Sequence, residues 1–288
     1  MDFDTLNTIF LVISFVLGTL IGSFLNVCIC RMPHGQSVIK PRSRCPKCGN
    51  GIAWFDNIPI LSWLILGARC RYCKEIISWQ YPVVEAITGV LFAGVYWKFG
   101  LTLATPVYML FMASMVLVTF IDLTDWTIPN EITFPGIPLG VGLAVVGMVY
   151  PDSGLLLRDV FDSILGAVIG GGFLYLIDKV ALLVLKKRGM GFGDVKLIAL
   201  LGAFFGLKAV LFIIFVSCLI GSVVGVIFIM ASKRKQQDSP DGEENMTGHY
   251  LPFGPYLAGA GVLFVFFGLE AINLYMNYLQ PAPISAGM

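Results

Sequence analysis

The sequence predicts an all-α polytopic membrane protein with about eight transmembrane helices and one small polar insert. Of its 288 residues, 57% are hydrophobic and only 13% are charged, and the mean hydropathy is +0.84. A soluble domain has about 45–50% apolar and roughly 25% charged residues. One soluble core cannot bury this much apolar surface, so a soluble protein is excluded. The net charge of +1 gives no reason to expect a nucleic-acid partner.

Near-continuous apolar stretches of about 20 residues mark the predicted spans, because that length crosses the hydrocarbon core. They are residues 8–30, 81–97, 101–121, 134–150, 163–185, 209–231 and 253–278. The first stretch is preceded by Asp2 and Asp4 and by no Lys or Arg, which favours a retained helix over a cleaved signal peptide. A shorter run at 195–207 is compatible with a span or with a re-entrant segment.

The positions of the basic residues predict the orientation, since Lys and Arg stay on the cytoplasmic side. One basic cluster lies between residues 31 and 74, a second at 186–188 and a third at 233–235. All three lie inside only if the run at 195–207 crosses the membrane. The sequence therefore predicts eight spans with both termini outside, and a flexible acidic cytoplasmic loop at 236–249.

The insert at residues 32–80 carries two Cys-x-x-Cys pairs, Cys45 with Cys48 and Cys70 with Cys73. Four thiolates at this spacing are typical of the tetrahedral site of structural zinc. The basic residues place the insert in the cytoplasm, where disulfides rarely persist. We therefore expect a zinc-ribbon-like insert, with a redox pair or disulfides as the alternatives.

Two carboxylates stand at the ends of predicted spans. Asp122 follows the apolar run 116–121, and Asp194 follows a glycine-rich segment at 189–193. Charged groups are costly at such positions, so each is a functional candidate, although a helix cap is the plainer interpretation. The predicted topology puts both at the cytoplasmic boundary. There they can share one proton, so that one acts as the base on a water and the other polarises a carbonyl. Asp125, one turn after Asp122, competes for this role.

Two further features lie inside the apolar segments. Four glycines lie within one predicted helix and indicate close helix packing: Gly166, Gly170, Gly171 and Gly172. Glu85, at the start of the second span, is near the insert, and we expect it to line a cavity together with residues of the insert.

Other chemistries fit the sequence less well. His34 and His249 are the only histidines, and no His-Glu-x-x-His motif is present, so an intramembrane zinc protease is excluded. A Ser–His site has no recognisable serine motif. Two non-peptidase alternatives stay open: a transporter that uses Asp122 and Asp194 as ion ligands, and a membrane-anchored zinc-binding adaptor.

Several motifs in order along the chain resemble those of the type IV prepilin peptidases (leader peptidase/N-methyltransferase), which are GxGD-type intramembrane aspartic proteases. The matching segments are residues 22–27 with 31–33, the two cysteine pairs, 57–59 with Ser62, 81–82 with Glu85, 121–130, 189–194 and 252–256. Gly-x-Gly-Asp alone is shared with presenilin-like proteases that have other substrates. The whole ordered set is specific.

The resemblance implies that Asp122 and Asp194, and not Asp125, form the catalytic pair. It implies a bacterial inner-membrane enzyme that removes the short basic leader of prepilins and pseudopilins after a Gly at the cytoplasmic face. It also implies methylation of the new N-terminal residue with S-adenosylmethionine. Because Glu85 lies near the insert, it is a candidate residue for binding this methyl donor. Domains are expected at 1–31 (first helix), 32–80 (zinc insert) and 81–288 (protease).

The chain departs from the family pattern at two places. Asn130 stands where relatives often carry Asp, which should not affect the pair of aspartates. Residues 67–69, Gly-Ala-Arg, stand where relatives often have Gly-Gly-Lys before the second cysteine pair. This second departure bears on the N-methyltransferase activity and not on the peptidase activity.

Overall fold

The computed structural model describes residues 3–186, 191–237 and 252–279, and almost all of their regular structure is helical. The helices are α1 Phe3–Arg31, α2 Leu61–Ile65, α3 Gln80–Phe99, α4 Ala104–Asp125, α5 Asn130–Val149, α6 Val160–Leu185, α7 Phe192–Phe205, α8 Leu207–Gln237, α9 Gly254–Leu263 and α10 Leu269–Leu279. A π-helical turn, Phe264–Gly268, joins the last two. The described residues contain no β-strand beyond two isolated bridges, which confirms the predicted all-α fold.

Within the described residues, seven helical segments are long and apolar enough to cross a membrane. They are α1, α3, α4, α5, α6, α8 and the continuous α9–α10 segment, so the chain is a multi-pass membrane protein. The eighth predicted span is the 14-residue α7. At 1.5 Å per residue it is about 21 Å long, against a hydrocarbon core of about 30 Å. Ten of its residues are buried within the protein, and its crossing of the membrane stays a prediction.

Parts of the predicted loops lie outside the described residues. This holds for residues 187–190, for 238–249 of the acidic loop, and for the segment around Pro281. The third basic cluster, at 233–235, lies in the last turns of α8.

The described residues form two compact units. The first takes in the chain up to Pro135 together with Val145–Arg158, and the second takes in Gly136–Ala144 and the chain from Asp159 onward. In the first unit α1 and α3 pack at very short range, because glycines remove side chains from their interface. A Cβ atom on Gly22 would lie 2.7 Å from the Cα of Glu85. This close packing brings the C-terminal half of α1 against the first turns of α3.

In the second unit α7 packs against α6 across two glycines. A Cβ atom on Gly166 would lie 2.5 Å from the carbonyl oxygen of Gly202, and a Cβ on Gly202 would in turn meet the backbone of Gly166. The Ser163 hydroxyl donates to the Ala203 carbonyl at 2.6 Å along the same interface. Of the four glycines predicted to serve helix packing, Gly172 alone has no neighbouring atom within 4 Å of its Cβ position.

Replacing Gly166 with Ala is expected to destabilise the protein by about 1–3 kcal/mol, because the new methyl group overlaps the backbone of α7. Gly172→Ala is the matched control on the same helix. It meets open space and gains helix propensity, so it is expected to leave stability unchanged or to raise it slightly. Thermal unfolding in detergent measures both variants. Equal unfolding temperatures for the two would contradict this packing.

Candidate functional site

The two Cys-x-x-Cys segments form matching turns in the insert. The backbone N–H of Cys45 donates to the carbonyl five residues later at 2.9 Å, and that of Cys70 does the same at 2.8 Å. The N–H groups of Gly49 and Lys74 donate back to the carbonyls of those cysteines. Gly49 and Lys74 both have positive φ, 72° and 59°. The two halves of the insert therefore present their thiols in the same way.

The sulfur atoms of Cys45, Cys48, Cys70 and Cys73 all lie within 4.8 Å of one another. The Cys45 and Cys73 sulfurs are 3.8 Å apart, and none of these cysteines forms a disulfide. A tetrahedral zinc with Zn–S bonds near 2.3 Å places its sulfur ligands about 3.8 Å apart. The donor set and its spacing fit a structural zinc ion.

The pKa values of Cys70 and Cys73 differ, because backbone N–H groups and neighbouring thiols act differently on the two sulfur atoms. The N–H groups of Cys73 and Tyr72 lower the pKa of Cys70 to about 7. The N–H of Glu75 lowers the pKa of Cys73, but burial and the other three thiols outweigh it and raise the value to about 11. Neighbouring thiolates repel one another, so a bound cation is what allows all four to be deprotonated.

A cavity of about 590 Å³ lies between the end of α1, the start of α3 and the insert, within the first unit. Glu85 lines it and is buried. The Oε2 atom of Glu85 accepts a hydrogen bond from the Ile60 N–H at 2.7 Å. Ile60 has φ of 61°, a conformation that is costly for a β-branched residue. Glu85 thus fixes a strained part of the insert to α3.

Asn26 lines the same cavity and was not predicted as a site residue. Its Nδ2 group donates to the carbonyls of Gly22 at 3.3 Å and Tyr81 at 3.1 Å. Its Oδ1 atom is buried and has no hydrogen-bond partner among the described residues. An unmet acceptor of this kind costs about 1–3 kcal/mol. An amide within an otherwise apolar span was the signal available in the sequence.

Asp122 lies in the last turn of α4 and is 6% exposed. The helix ends three residues later at Asp125. The next residue, Trp126, has left-handed φ and donates its N–H to the Asp122 carbonyl at 3.2 Å. Asp125 is half-buried, and its carboxylate accepts a hydrogen bond from the Thr124 hydroxyl at 2.7 Å. Of the two neighbouring aspartates, Asp122 is the buried one.

Asp194 lies in the first turn of α7 and is 7% exposed. Its backbone N–H donates to the Gly191 carbonyl at 3.1 Å, which forms the turn that opens the helix. A Cβ atom on Gly191 would lie 3.5 Å from the Asp194 carboxylate. Asp122 belongs to the first compact unit and Asp194 to the second. Each is a buried carboxylate at a helix end.

Comparison with known proteins decides the family. Residues 16–99 match the family model of the bacterial peptidase A24 N-terminal domain, and residues 109–226 match that of the type IV leader peptidase family. A prepilin leader peptidase/N-methyltransferase of Myxococcus xanthus (strain DK1622) is 40% identical over 82% of this chain and 70% of its own length. The chain belongs to the type IV leader peptidase family.

Two further members of the type IV leader peptidase family match nearly the whole chain. Both carry the name prepilin leader peptidase/N-methyltransferase. The protein of Neisseria gonorrhoeae is 34% identical over 98% of this chain and 99% of its own length. That of Pseudomonas aeruginosa (strain PAO1) is 31% identical over 93% and 94%. No solved structure matches the chain.

Membership of this family confirms the resemblance found in the sequence. The N-terminal match contains the four cysteines, Asn26 and Glu85, and the second match contains Asp122 and Asp194. A peptidase family disfavours the ion transporter and the zinc-binding adaptor considered as alternatives.

Proposed function

We propose that the protein is an aspartic endopeptidase of the bacterial inner membrane that removes the short basic leader from type IV prepilins and pseudopilins. The same protein then methylates the new N-terminal residue with S-adenosylmethionine. The similarity to prepilin leader peptidase/N-methyltransferases over nearly the full chain carries this proposal. Burial of one carboxylate at the end of α4 and another at the start of α7 supports the choice of peptidase chemistry.

Asp122 and Asp194 are the proposed catalytic pair. The N-terminal end of a helix carries partial positive charge and stabilises a carboxylate, whereas the C-terminal end carries partial negative charge. Asp194, in the first turn of α7, therefore takes the proton of the attacking water. Asp122, in the last turn of α4, donates its proton to the oxygen of the scissile carbonyl. Collapse of the tetrahedral intermediate breaks the C–N bond, moves the proton held by Asp194 to the leaving amine and returns the proton of the former carbonyl oxygen to Asp122.

The location of the reaction follows from the charge of the substrate. A positively charged leader stays in the cytoplasm, so the bond to be cut lies at the cytoplasmic interface. A helical peptide bond is shielded from water, and the substrate therefore unwinds near the Gly before the cleavage point.

The four cysteines of the insert at 32–80 are the proposed zinc ligands. A site of four thiolates leaves no open coordination position for water, so the metal would shape the insert.

Bound S-adenosylmethionine would supply an electrophilic methyl group to the new N-terminal amine. The sulfur would leave with the electron pair of the broken C–S bond, and the amine would lose one proton to solvent.

Incubation of the purified protein in detergent with a prepilin peptide and S-adenosylmethionine tests the proposed function. Mass spectrometry is expected to show a product that lacks the leader and carries one added methyl group. An intact prepilin peptide, together with cleavage of an unrelated transmembrane peptide, would overturn the proposal and favour a presenilin-like protease.

The predicted topology has its own test, on a chain in which Cys30 and Cys218 are replaced with Ser. Asn245→Cys is expected to be labelled only from the cytoplasmic side and Ala282→Cys only from outside. The reason is that the basic residues at 233–235 hold the end of α8 inside, which requires α7 to cross. Membrane-impermeant maleimide on intact and on opened cells measures this. Labelling of Asn245→Cys from outside would show that α7 does not span.

A further inference from the structure

Building on the proposed methyltransferase function, we propose that the cavity between α1, α3 and the cysteine insert binds S-adenosylmethionine. Glu85 faces the positive charges of this ligand, and Asn26 accepts a hydrogen bond from it. Both residues line the cavity, and all of its lining residues belong to the first compact unit.

The size and the lining of the cavity suit a cofactor of this kind. Its volume of about 590 Å³ lies within the range of roughly 300–1,000 Å³ found for sites that enclose small ligands. Trp63 contributes to the wall, and its ring packs on Trp79 with centroids 4.3 Å apart. The Trp63 Nε1–H also donates to the Ile77 carbonyl at 3.2 Å. The indole is thereby held in place and offers a fixed apolar surface for the adenine ring.

Glu85 supplies the charge that the ligand needs. Its carboxyl group is buried, and no Lys or Arg of the described part of the chain forms an ion pair with it. A buried carboxylate is unfavourable unless a cation compensates it. S-adenosylmethionine carries two cationic groups, the sulfonium and the α-ammonium. The Ile60 N–H already holds one oxygen of Glu85, so the carboxylate is fixed before the ligand arrives.

Asn26 adds an independent observation, the unpartnered Oδ1 atom. Both hydrogens of its amide group are directed at the carbonyls of Gly22 and Tyr81, which settles the orientation of the amide and leaves Oδ1 as an acceptor. A ligand hydroxyl or N–H satisfies this acceptor. Ribose hydroxyls, the adenine amino group and the α-ammonium are all donors on S-adenosylmethionine.

The basic residues that line the cavity differ in whether an acidic partner already holds them. Lys47 pairs with Glu75 at 3.9 Å and Arg71 with Asp56 at 2.6 Å, so these two cations are already engaged. Arg31 and Arg44 also line the cavity, and neither forms an ion pair within the described residues. Arg31 donates to the Ser37 carbonyl at 3.0 Å, whereas Arg44 is exposed. The cavity thus combines a buried carboxylate that no ion pair holds, Glu85, with a basic residue open to solvent, Arg44, which matches the opposite charges of an amino-acid moiety.

Calorimetric titration of the full chain in detergent with S-adenosylmethionine tests the assignment. Glu85→Gln removes the charge but keeps an oxygen that accepts from Ile60, so the fold is retained and affinity is expected to fall by about 10-fold or more. The loss is expected to be smaller for S-adenosylhomocysteine, which has no sulfonium charge. Asp152→Asn, at an exposed position of the same unit, is the matched control and is expected to bind as the unmodified chain does.

Alkylation of Cys30 gives a second readout that needs no variant. Cys30 lines the cavity and is exposed, whereas Cys218 is exposed on α8 in the second unit. Saturating S-adenosylmethionine is expected to slow the reaction of Cys30 with N-ethylmaleimide and to leave that of Cys218 unchanged. Peptide mass spectrometry follows the two rates separately.

The outcomes separate this assignment from the function on which it rests. If the unmodified chain and Glu85→Gln bind S-adenosylmethionine equally well and Cys30 is not protected, the cofactor binds elsewhere. The methyltransferase proposal would then stand. Absence of binding, with a prepilin peptide still cleaved, would overturn the methyltransferase proposal and this assignment together. Protection of Cys30 by prepilin peptide and not by S-adenosylmethionine would make the cavity a substrate site.

Discussion

Asp122→Asn and Asp194→Asn are each expected to lower the rate of prepilin cleavage by at least about 100-fold. Positioned acid–base groups contribute roughly 10²–10⁴ to a rate, and an amide neither takes a proton from water nor donates one from a carboxylic acid. Single-turnover cleavage of a prepilin peptide, followed by mass spectrometry, measures the loss. Each variant is expected to insert in the membrane and to unfold at the temperature of the unmodified chain.

Asp125→Asn is the matched control, because it lies on the same helix as Asp122 but is half-buried and bonded to Thr124. It is expected to keep substantial cleavage activity. Methylation of a peptide that already lacks its leader is expected to survive in Asp122→Asn, since the proposed methyl-donor cavity excludes that residue. An inactive Asp125→Asn beside an active Asp122→Asn would refute the assignment of the pair.

Cys45→Ser and Cys73→Ser are each expected to release the metal and to unfold the insert at 32–80. Three thiolates no longer close a tetrahedral site, and structural zinc contributes about 10–16 kcal/mol to the folding of small zinc domains. Elemental analysis is expected to give one zinc per unmodified chain and almost none per variant. Limited proteolysis is expected to cut the insert much faster in the variants.

Cys218→Ser provides the control for the metal measurement. Cys218 is a free cysteine on α8, in the other compact unit, so its replacement is expected to leave the zinc content unchanged. A metal-to-protein ratio near zero in the unmodified chain, with all four insert thiols free to react, would rule out the zinc site.

The structure agrees with the sequence most closely where one local property dominates. Apolar runs of about 20 residues are sufficient to predict membrane helices, because the bilayer imposes their length. The run predicted at 163–185 is the helix Val160–Leu185, and that at 81–97 is Gln80–Phe99. The run at 195–207 was ambiguous because a short apolar segment has the same composition in a buried helix as in a span. Packing buries ten residues of α7 within the protein.

The sequence by itself determined the class of protein, the cysteine pairs and the positions of the carboxylates in the chain, since each follows from residue types and short spacings. Only the tertiary structure decided which polar groups line the cavity. Asn26 and Tyr81 are 55 residues apart, and Glu85 reaches Ile60 because Gly22 lets α3 approach α1 closely. Such contacts depend on how distant helices pack, and no local pattern encodes that.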